Sequence, residues 1–436
     1  MKWTYSYFLV FPLASAILFS ACKPSQKMVQ KKEPTIISSD GTKTDPFFNN
    51  LLVKYPQYFG NILKNPDSPG VQIIYTQINR GRNNLPSLTD YYFNVNPNKY
   101  FYPASTVKMP VALMALEKLH ELNIAGLNRK STMITESAFS GQTNVYNDPT
   151  SEDGRPSIEH YIKKIFLVSD NDAYNRLYEF LGQEYINERL HQKGYQDVQL
   201  LHRLQLPLTE DENRYTNPVK FYDTTAKLIY EKPVLYNQQA YSLRNTKLGK
   251  GYMINDKLVN EPFDFSKRNR IALEDLHNIL RSIIFPKTVP VTQRFNISDE
   301  DYQFVWKYMS QFPSETTFPD YTDTTNYWDA YCKFVLYGSE KKKLPKHIRI
   351  FNKVGDAYGF LLDITYVVDF EKNIEFMLST VMYCNSDGIF NDDKYDYDTV
   401  GLPFMKHLGQ VIYDYEVQRP KKHLPNLSYL KFTYDK

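Results

Sequence analysis

The apolar positions of this chain follow a helical repeat in the segment that begins at Ser105. They recur at intervals of four and then three residues in two series, which are Val107, Val111 and Met114, and Met109, Leu113 and Leu116. With Ala112 and Ala115 between them, the pattern predicts a helix that is apolar on most sides and buried. Pro110 is compatible with this helix because it lies near the start, where few backbone N–H groups have partners.

Apolar runs typical of strands lie on both sides of this helix. Two runs, at 71–78 and 91–95, are separated by turn-forming residues, and three more follow at 348–353, 359–369 and 376–383. They are rich in Ile, Val, Tyr and Phe, which strands favour. We therefore expect one antiparallel sheet that is built from both ends of the chain and covered by helices.

Two further helices are predicted around a short polar triplet. Residues 157–168 begin with a Ser cap and place apolar side chains on one face, and residues 172–181 end at Gly182. Between them lies Ser-Asp-Asn at 169–171. Taken alone, this triplet reads as a turn with a helix cap.

Ser105 and Lys108 are candidates for nucleophilic chemistry. Residues three apart lie on one helix face, so the Lys108 amine can reach the Ser105 hydroxyl and accept its proton. Three other Ser-x-x-Lys matches are present, at Ser20–Lys23, Ser339–Lys342 and Ser428–Lys431. Only Ser105 opens an apolar helix. The alternative is a plain serine at a helix start beside a solvated lysine.

Three motifs in order resemble those of the class A serine β-lactamases and their penicillin-binding relatives. They are Ser105-x-x-Lys108, Ser169-Asp-Asn171 and Lys353-Val-Gly355. Lys247-Leu-Gly249 also fits the third motif, but Lys353 ends a strand-like run, as the family requires. The resemblance covers about 70–230 and 345–415. It implies an α/β (α+β) fold, with an antiparallel sheet flanked by helices, an all-helical subdomain and a long helical insertion.

The resemblance implies a role for each matching residue. Ser105 would be the nucleophile, Lys108 the base or the partner of the base, and Ser169 the group that passes a proton to the leaving nitrogen. Asn171 would bind Lys108 and the substrate's side-chain amide, and Lys353 would face a substrate carboxylate. The backbone around Gly355 and Asp356 would complete the oxyanion hole together with the N–H group of Ser105.

A loop and the helix start beyond it also match, at 198–203 and 215–219, and here the chain departs from the family. Aligned on Arg203, the loop glutamate that activates water for deacylation is replaced by Gln205, which cannot act as a general base. Glu210 and Glu212 are near, but would need a shifted loop. Val354 replaces the usual Ser or Thr, and no arginine occurs in 359–369. These changes predict weakened deacylation and carboxylate recognition.

The N-terminus predicts export. Residues 1–21 resemble a bacterial lipoprotein signal, with Cys22 as the lipidated residue; an ordinary secretory signal is the alternative. Residues 22–48 are polar and predict a flexible tether. The hydrolase domain would span 49–417, with an insertion at about 232–345 and a basic tail at 418–436.

The insertion is longer than this connection usually is in the family. It predicts helices at 271–284 and 298–309. It would either edge the cleft or, as we favour, add helical packing away from the chemistry.

Composition excludes several functions. The chain has 436 residues, is 42% hydrophobic and carries a net charge of +3, so nothing points to nucleic acid. The eight histidines are scattered, so no metal site is predicted, and the chemistry needs no cofactor.

Beyond Cys22 only Cys332 and Cys384 remain, and their pairing is open. The expected partners are a small-molecule or peptide substrate and, through the lipid anchor, a membrane; the oligomeric state stays open.

Three functions remain possible at this point. The first is an exported serine hydrolase that acylates Ser105 with a β-lactam or related amide. The second is a penicillin-binding D-Ala-D-Ala peptidase or an esterase-type acyl hydrolase, because Gln205 and Val354 depart from the β-lactamase pattern. The third is a cell-surface binding protein with a decayed site.

Overall fold

A five-stranded antiparallel sheet, with strands from both ends of the chain, is the centre of the computed structural model. The structure describes residues 1–5, 32–67, 70–138 and 143–436. The chain divides into two units, Met1–Lys32 and Glu33–Lys436. In the first, residues 1–5 have no regular secondary structure, and Cys22 with most of the predicted signal lies outside the described residues. The second unit holds all the elements below.

The strands and helices are numbered in chain order. The strands are β1 Ile36–Ile37, β2 Lys43–Thr44, β3 Gln72–Arg80, β4 Pro86–Phe93, β5 Thr132–Thr135, β6 Val219–Tyr222, β7 Leu228–Lys232, β8 Lys247–Leu248, β9 Gly251–Ile254, β10 Lys257–Val259, β11 Phe263–Asp264, β12 Ile348–Ala357, β13 Phe360–Asp369, β14 Ile374–Tyr383 and β15 Ile389–Phe390. The helices are α1 Pro46–Leu52, α2 Pro56–Lys64, α3 Lys108–Leu122, α4 Ile158–Val168, α5 Asn171–Leu181, α6 Gln183–Gln192, α7 Glu210–Arg214, α8 Leu273–Ile284, α9 Asp299–Ser310 and α10 Leu402–Gln418.

The large sheet has the strand order β12-β13-β14-β3-β4, and every neighbouring pair is antiparallel. This confirms the predicted sheet. All ten residues of β13 are buried, because apolar clusters cover both faces of the sheet, which explains its continuous apolar run. The helix α8 packs on one of these faces, and α10 packs on β14 and α2. β12 is an edge strand, and this position matters for the site.

The predicted apolar helix is α3, whose residues Met109–Leu116 are almost completely buried. It contacts α4 and α5, and a 3₁₀ turn at Ala104–Val107 precedes it. The subdomain around it is not all helical, contrary to the expectation. β5, β6 and β7 form a small sheet there, and β6 starts where a helix was predicted after the loop. β-Branched and aromatic residues alternate with polar ones in β6, and the buried Val219 and Phe221 face the core.

The predicted tether is wrong over 36–48. β1 pairs with β2, and α1 begins at Pro46. Asp45 is buried, and its carboxylate accepts a hydrogen bond from the Tyr92 backbone N–H group. Phe48 packs in the core. This stretch is polar in composition but bonds to the end of β4.

The basic tail packs on the domain. Leu427 and Leu430 are buried in the core, and the Tyr429 hydroxyl accepts a hydrogen bond from Arg80. Asp435 forms an ion pair with Lys307 at 2.7 Å. The tail is therefore part of the folded domain.

The two helices of the insertion pack against different parts of the domain. α8 packs on β3, β13 and β14, and α9 packs on β12 and α4, as the favoured interpretation predicts. The preceding strands β8 to β11 form small sheets, one of them with β15. Cys332 and Cys384 are both buried free thiols. In the described part of the chain, no helix combines the length and apolarity needed to cross a bilayer.

Candidate active site

The candidate nucleophile lies in the 3₁₀ turn before α3. Ser105 is half-buried there, and Ala104 adopts a positive φ of 46°. The turn is held by Thr106, whose hydroxyl donates to the Pro103 carbonyl at 2.6 Å. Lys108 starts α3 one turn later. No hydrogen bond joins the Ser105 hydroxyl to a residue that the structure describes, and Ser105 lines a cleft.

Lys108 is completely buried, and its amine is held by groups from the next motif. It donates to the Ser169 carbonyl at 2.5 Å and to Asn171 Oδ1 at 2.6 Å. Burial, with a smaller contribution from the charge of Lys353, holds the pKa of Lys108 well below its usual value. A neutral amine has two hydrogens, which these two acceptors bind, and it keeps a lone pair that can accept a proton.

The Ser-Asp-Asn triplet joins α4 to α5. Ser169 ends α4 with a positive φ of 60°, which turns its carbonyl toward Lys108. Asp170 caps α5 by accepting from the Ala173 N–H group, so its role is structural, as the sequence favoured. The Ser169 hydroxyl accepts a hydrogen bond from Lys353 at 2.7 Å and lies 3.4 Å from the Lys108 nitrogen. Lys108 from the first motif and Lys353 from the third therefore meet at Ser169, whereas no hydrogen bond joins the Ser105 hydroxyl to any of these three described residues.

Lys353 and Gly355 lie on the edge strand β12. Burial lowers the pKa of Lys353 to about 8. Gly355 lies so close to the nucleophile turn that a Cβ atom there would be 2.9 Å from the Pro103 carbonyl oxygen and 3.1 Å from the Ser105 nitrogen. Only glycine permits this contact without a backbone shift. Val354 is buried in the apolar core and does not line the cleft. Lys247 is exposed in β8, which supports the choice of Lys353.

The loop that carries Gln205 is anchored by buried polar contacts. Arg203 is buried and pairs with Glu179 at 2.7 Å. Asn175 bonds to both the N–H and the carbonyl group of Leu204. Gln205 has a positive φ of 58°, and its Oε1 accepts a hydrogen bond from Asn171 Nδ2 at 2.7 Å. The structure thus places Gln205 in contact with the site.

The two nearby glutamates are held elsewhere. Glu212 forms a capping box with Thr209 at the start of α7. Glu210 pairs with Lys267 at 2.7 Å. Neither lines the cleft.

The cleft beside Ser105 has a volume of about 650 Å³. Its lining residues are Tyr102, Ala104, Ser105, Asn171, His202, Arg203, Leu204, Gln205, Leu206, Pro207, Arg268, Asp356, Ala357, Tyr358, Asn391, Asp393 and Tyr395. Tyr358 packs edge-on against Tyr102, with ring centroids 5.0 Å apart, and it forms one wall of the cleft. Among the residues with described positions, no group of His, Cys, Asp and Glu could hold a metal ion.

Two residues outside the predicted site also line this cleft, His202 and Arg268. His202 is buried, and burial lowers its pKa to about 4, so it is neutral; its Nε2 accepts from the Asn269 N–H group. Arg268 comes from the insertion and lines the cleft. The part of the insertion that carries Arg268 therefore edges the cleft, contrary to the favoured interpretation. Nothing in the spacing could reveal Arg268, because it lies 163 residues after Ser105 in a segment without a matching motif.

A serine, two buried lysines and a second serine arranged in this way define a serine acyl hydrolase of the β-lactamase type. The model of the Beta-lactamase enzyme family matches residues 70–415, and the chain belongs to this family. It is a serine hydrolase. Comparison with curated proteins finds no match.

Solved structures of β-lactamases align with most of the chain at low identity. One from Chitinophaga pinensis gives a TM-score of 0.47 at 12% identity, over 84% of this chain and 99% of its own. A class A enzyme from Clostridium kluyveri gives 0.44 at 14%, over 83% and 98%. One from Sphaerobacter thermophilus gives 0.45 at 11%, over 86% and 99%. The family assignment rests on the family model.

The two lysines predict a bell-shaped pH dependence. We expect the rate at which a penicillin acylates Ser105 to fall at low pH, because protonated Lys108 cannot accept the serine proton. It should also fall above about pH 8, where Lys353 loses its charge. The measurement is the acylation rate constant between pH 5 and 10. In Lys353→Arg the alkaline limb should move up by more than one pH unit, because arginine stays charged. An unchanged alkaline limb in this variant would contradict the assignment of that limb to the loss of charge on Lys353.

Proposed function

We propose that this chain acylates Ser105 with a β-lactam or a related amide and hydrolyses the acyl-enzyme slowly. The observation that carries the proposal is the continuous set of hydrogen bonds from Lys353 through Ser169 and Lys108 to Asn171 and Gln205. It joins the two lysines, the serine and the asparagine that would assist acylation of Ser105. The contact of Gln205 with Asn171 supports the alignment that gives Gln205 the position of the deacylating glutamate.

Acylation would begin when neutral Lys108 accepts the Ser105 proton and Oγ attacks the carbonyl carbon. The backbone N–H groups of Ser105 and Asp356 would stabilise the tetrahedral oxyanion. The close approach of Gly355 to the Ser105 nitrogen brings these two segments together. As the C–N bond breaks, Ser169 would pass a proton to the leaving nitrogen. Its hydroxyl lies between the two lysine amines, so it can be resupplied with a proton.

The Lys353 ammonium would also attract a substrate carboxylate, because it lies beside Ser169 and carries a positive charge. Asn171 would bind the amide of the acyl side chain, once that group displaces Gln205 from its Nδ2. Hydrolysis requires a water molecule to lose a proton as it attacks the ester. A glutamine amide cannot accept that proton, so this step would be slow.

The acyl-enzyme can be observed directly. On exposure to benzylpenicillin, intact-protein mass spectrometry should show one adduct on the chain and none on Ser105→Ala. We expect the adduct to persist for hours, because Gln205 cannot activate water. An adduct that disappeared within minutes would contradict slow deacylation. No adduct, combined with release of D-Ala from an acylated D-Ala-D-Ala peptide, would favour the peptidase, the second candidate that Gln205 supports.

Replacement of Gln205 by glutamate should accelerate deacylation. Glutamate has the same shape and can accept the hydrogen bond from Asn171, but its carboxylate can also accept a proton from water. General base catalysis contributes about 10²–10⁴-fold, so we expect the adduct lifetime of Gln205→Glu to fall by at least about 100-fold.

The matched control is Glu210→Gln, which removes a nearby carboxylate that pairs with Lys267 outside the cleft. Its adduct lifetime should stay within twofold of wild type. A lifetime that rises strongly in Glu210→Gln would show that the loop moves to use Glu210, and would overturn the assignment to Gln205.

We further propose that the chain is exported and anchored by a lipid on Cys22. The support is the positively charged start, the apolar run at 5–19 and the small residues before Cys22. In a bacterial host, the wild-type chain should sediment with membranes, whereas Cys22→Ser should lose the acyl chains that hold it there. Equal membrane retention of both chains after salt washing would refute lipid anchoring.

A further inference from the structure

We infer that the cleft binds an acyl donor whose acyl side chain carries a carboxylate, and that Arg268 recognises that carboxylate. The inference deepens the proposed function and rests on acylation at Ser105. Arg268 is a specificity-determining residue in this scheme, and it takes no part in the bond-breaking steps.

The site residues that line the cleft identify which part of the substrate the cleft holds. Its lining runs from Ser105 past Asn171 to Gln205, and it includes neither Ser169 nor Lys353. Under the proposed roles, Lys353 faces the carboxylate on the leaving-group side, and Asn171 binds the amide of the acyl side chain. The cleft therefore holds the acyl side chain.

Arg268 is the basic residue of this region that has no acidic partner. The cations on either side along the chain are paired, Lys267 with Glu210 and Arg270 with Asp197. The guanidinium of Arg268 lies 5.5 Å from the ring of Phe263 and forms no hydrogen bond or ion pair with any residue that the structure describes. The other arginine of the cleft, Arg203, is bound to Glu179.

The surroundings of Arg268 favour a carboxylate. A guanidinium always carries its charge, and its planar donors match the two oxygens of a carboxylate. The walls nearby are Tyr102, neutral His202 and Tyr358, which carry no charge and leave less water around an ion pair than an open surface does. Two aspartates also line the cleft. Asp356 follows Gly355 at the Ser105 end, and Asp393 is exposed. Among the described residues neither aspartate forms an ion pair with Arg268, so its guanidinium stays open to a ligand carboxylate.

Three penicillins test the inference, because they share the nucleus and the phenyl ring. Carbenicillin carries an α-carboxylate, benzylpenicillin a hydrogen and ampicillin an α-ammonium group. Second-order acylation rates should be measured by mass spectrometry for the full chain, Arg268→Gln, Arg268→Glu and Arg268→Lys. The control Lys267→Gln removes a neighbouring cation that is absent from the cleft lining.

We expect wild type to prefer carbenicillin to ampicillin, and Arg268→Gln to reduce that preference about tenfold while benzylpenicillin changes less than twofold. A tenfold change corresponds to about 1.4 kcal/mol. Arg268→Glu should reverse the order, Arg268→Lys should keep part of the preference, and Lys267→Gln should keep all of it. An equal loss for all three compounds, or a carbenicillin-to-ampicillin ratio that Arg268→Gln leaves unchanged, would overturn the inference.

Calorimetric binding to Ser105→Ala separates the inference from the proposed function. If no penicillin acylates the wild-type chain, the proposed function fails. Carbenicillin binding to Ser105→Ala that weakens about tenfold in Ser105→Ala/Arg268→Gln would still support the role of Arg268. Absence of this dependence in both assays would refute it.

Discussion

The burial of two lysine side chains on either side of Ser169 is the constraint on which the site depends. An ammonium group loses its hydration when it is buried, so the site must supply acceptors or the amine must become neutral. Lys108 meets this requirement through the Ser169 carbonyl, which points inward because α4 ends in a left-handed residue at that position. The end of one helix therefore positions the amine at the start of another.

The same constraint orients Asn171 and, through it, the loop. Because Asn171 Oδ1 accepts from Lys108, its Nδ2 must point the other way, where it meets Gln205 Oε1. A glutamate carboxylate could accept this hydrogen bond equally well. The Arg203–Glu179 ion pair and the Asn175 contacts hold the loop independently of the residue at 205. An acid and an amide at 205 would therefore make the same contact with Asn171, so the chemistry of this position can change without a rearrangement of the backbone.

The spacing of apolar residues predicted the helices and strands whose formation depends on neighbouring residues in the chain. The buried helix after Ser105 and the strands around Lys353 follow from apolar periodicity, and the resemblance then joined motifs that lie far apart in sequence. Residues 36–48 were misjudged because their polar composition conceals backbone pairing with the end of β4. Tyr215–Val219 was expected to start a helix, but Val219 pairs with Thr135 in a sheet that only tertiary contact defines. Arg268 could not be predicted, because its place depends on how the insertion folds back.

Part of the insertion forms a wall of the cleft, so some of the residues that would contact the substrate come from a different segment than the three motifs. Phe263 and Phe265 pack against Tyr358, which follows the Lys353 strand, and Phe265 also contacts Tyr102 beside the nucleophile turn. Arg268 is carried by this aromatic cluster. Under the proposed function the three motifs make and break bonds at Ser105, and they lie outside the insertion. Because the insertion brings its own charge to the acyl side-chain end, substrate selection can change through this segment while the catalytic geometry is retained.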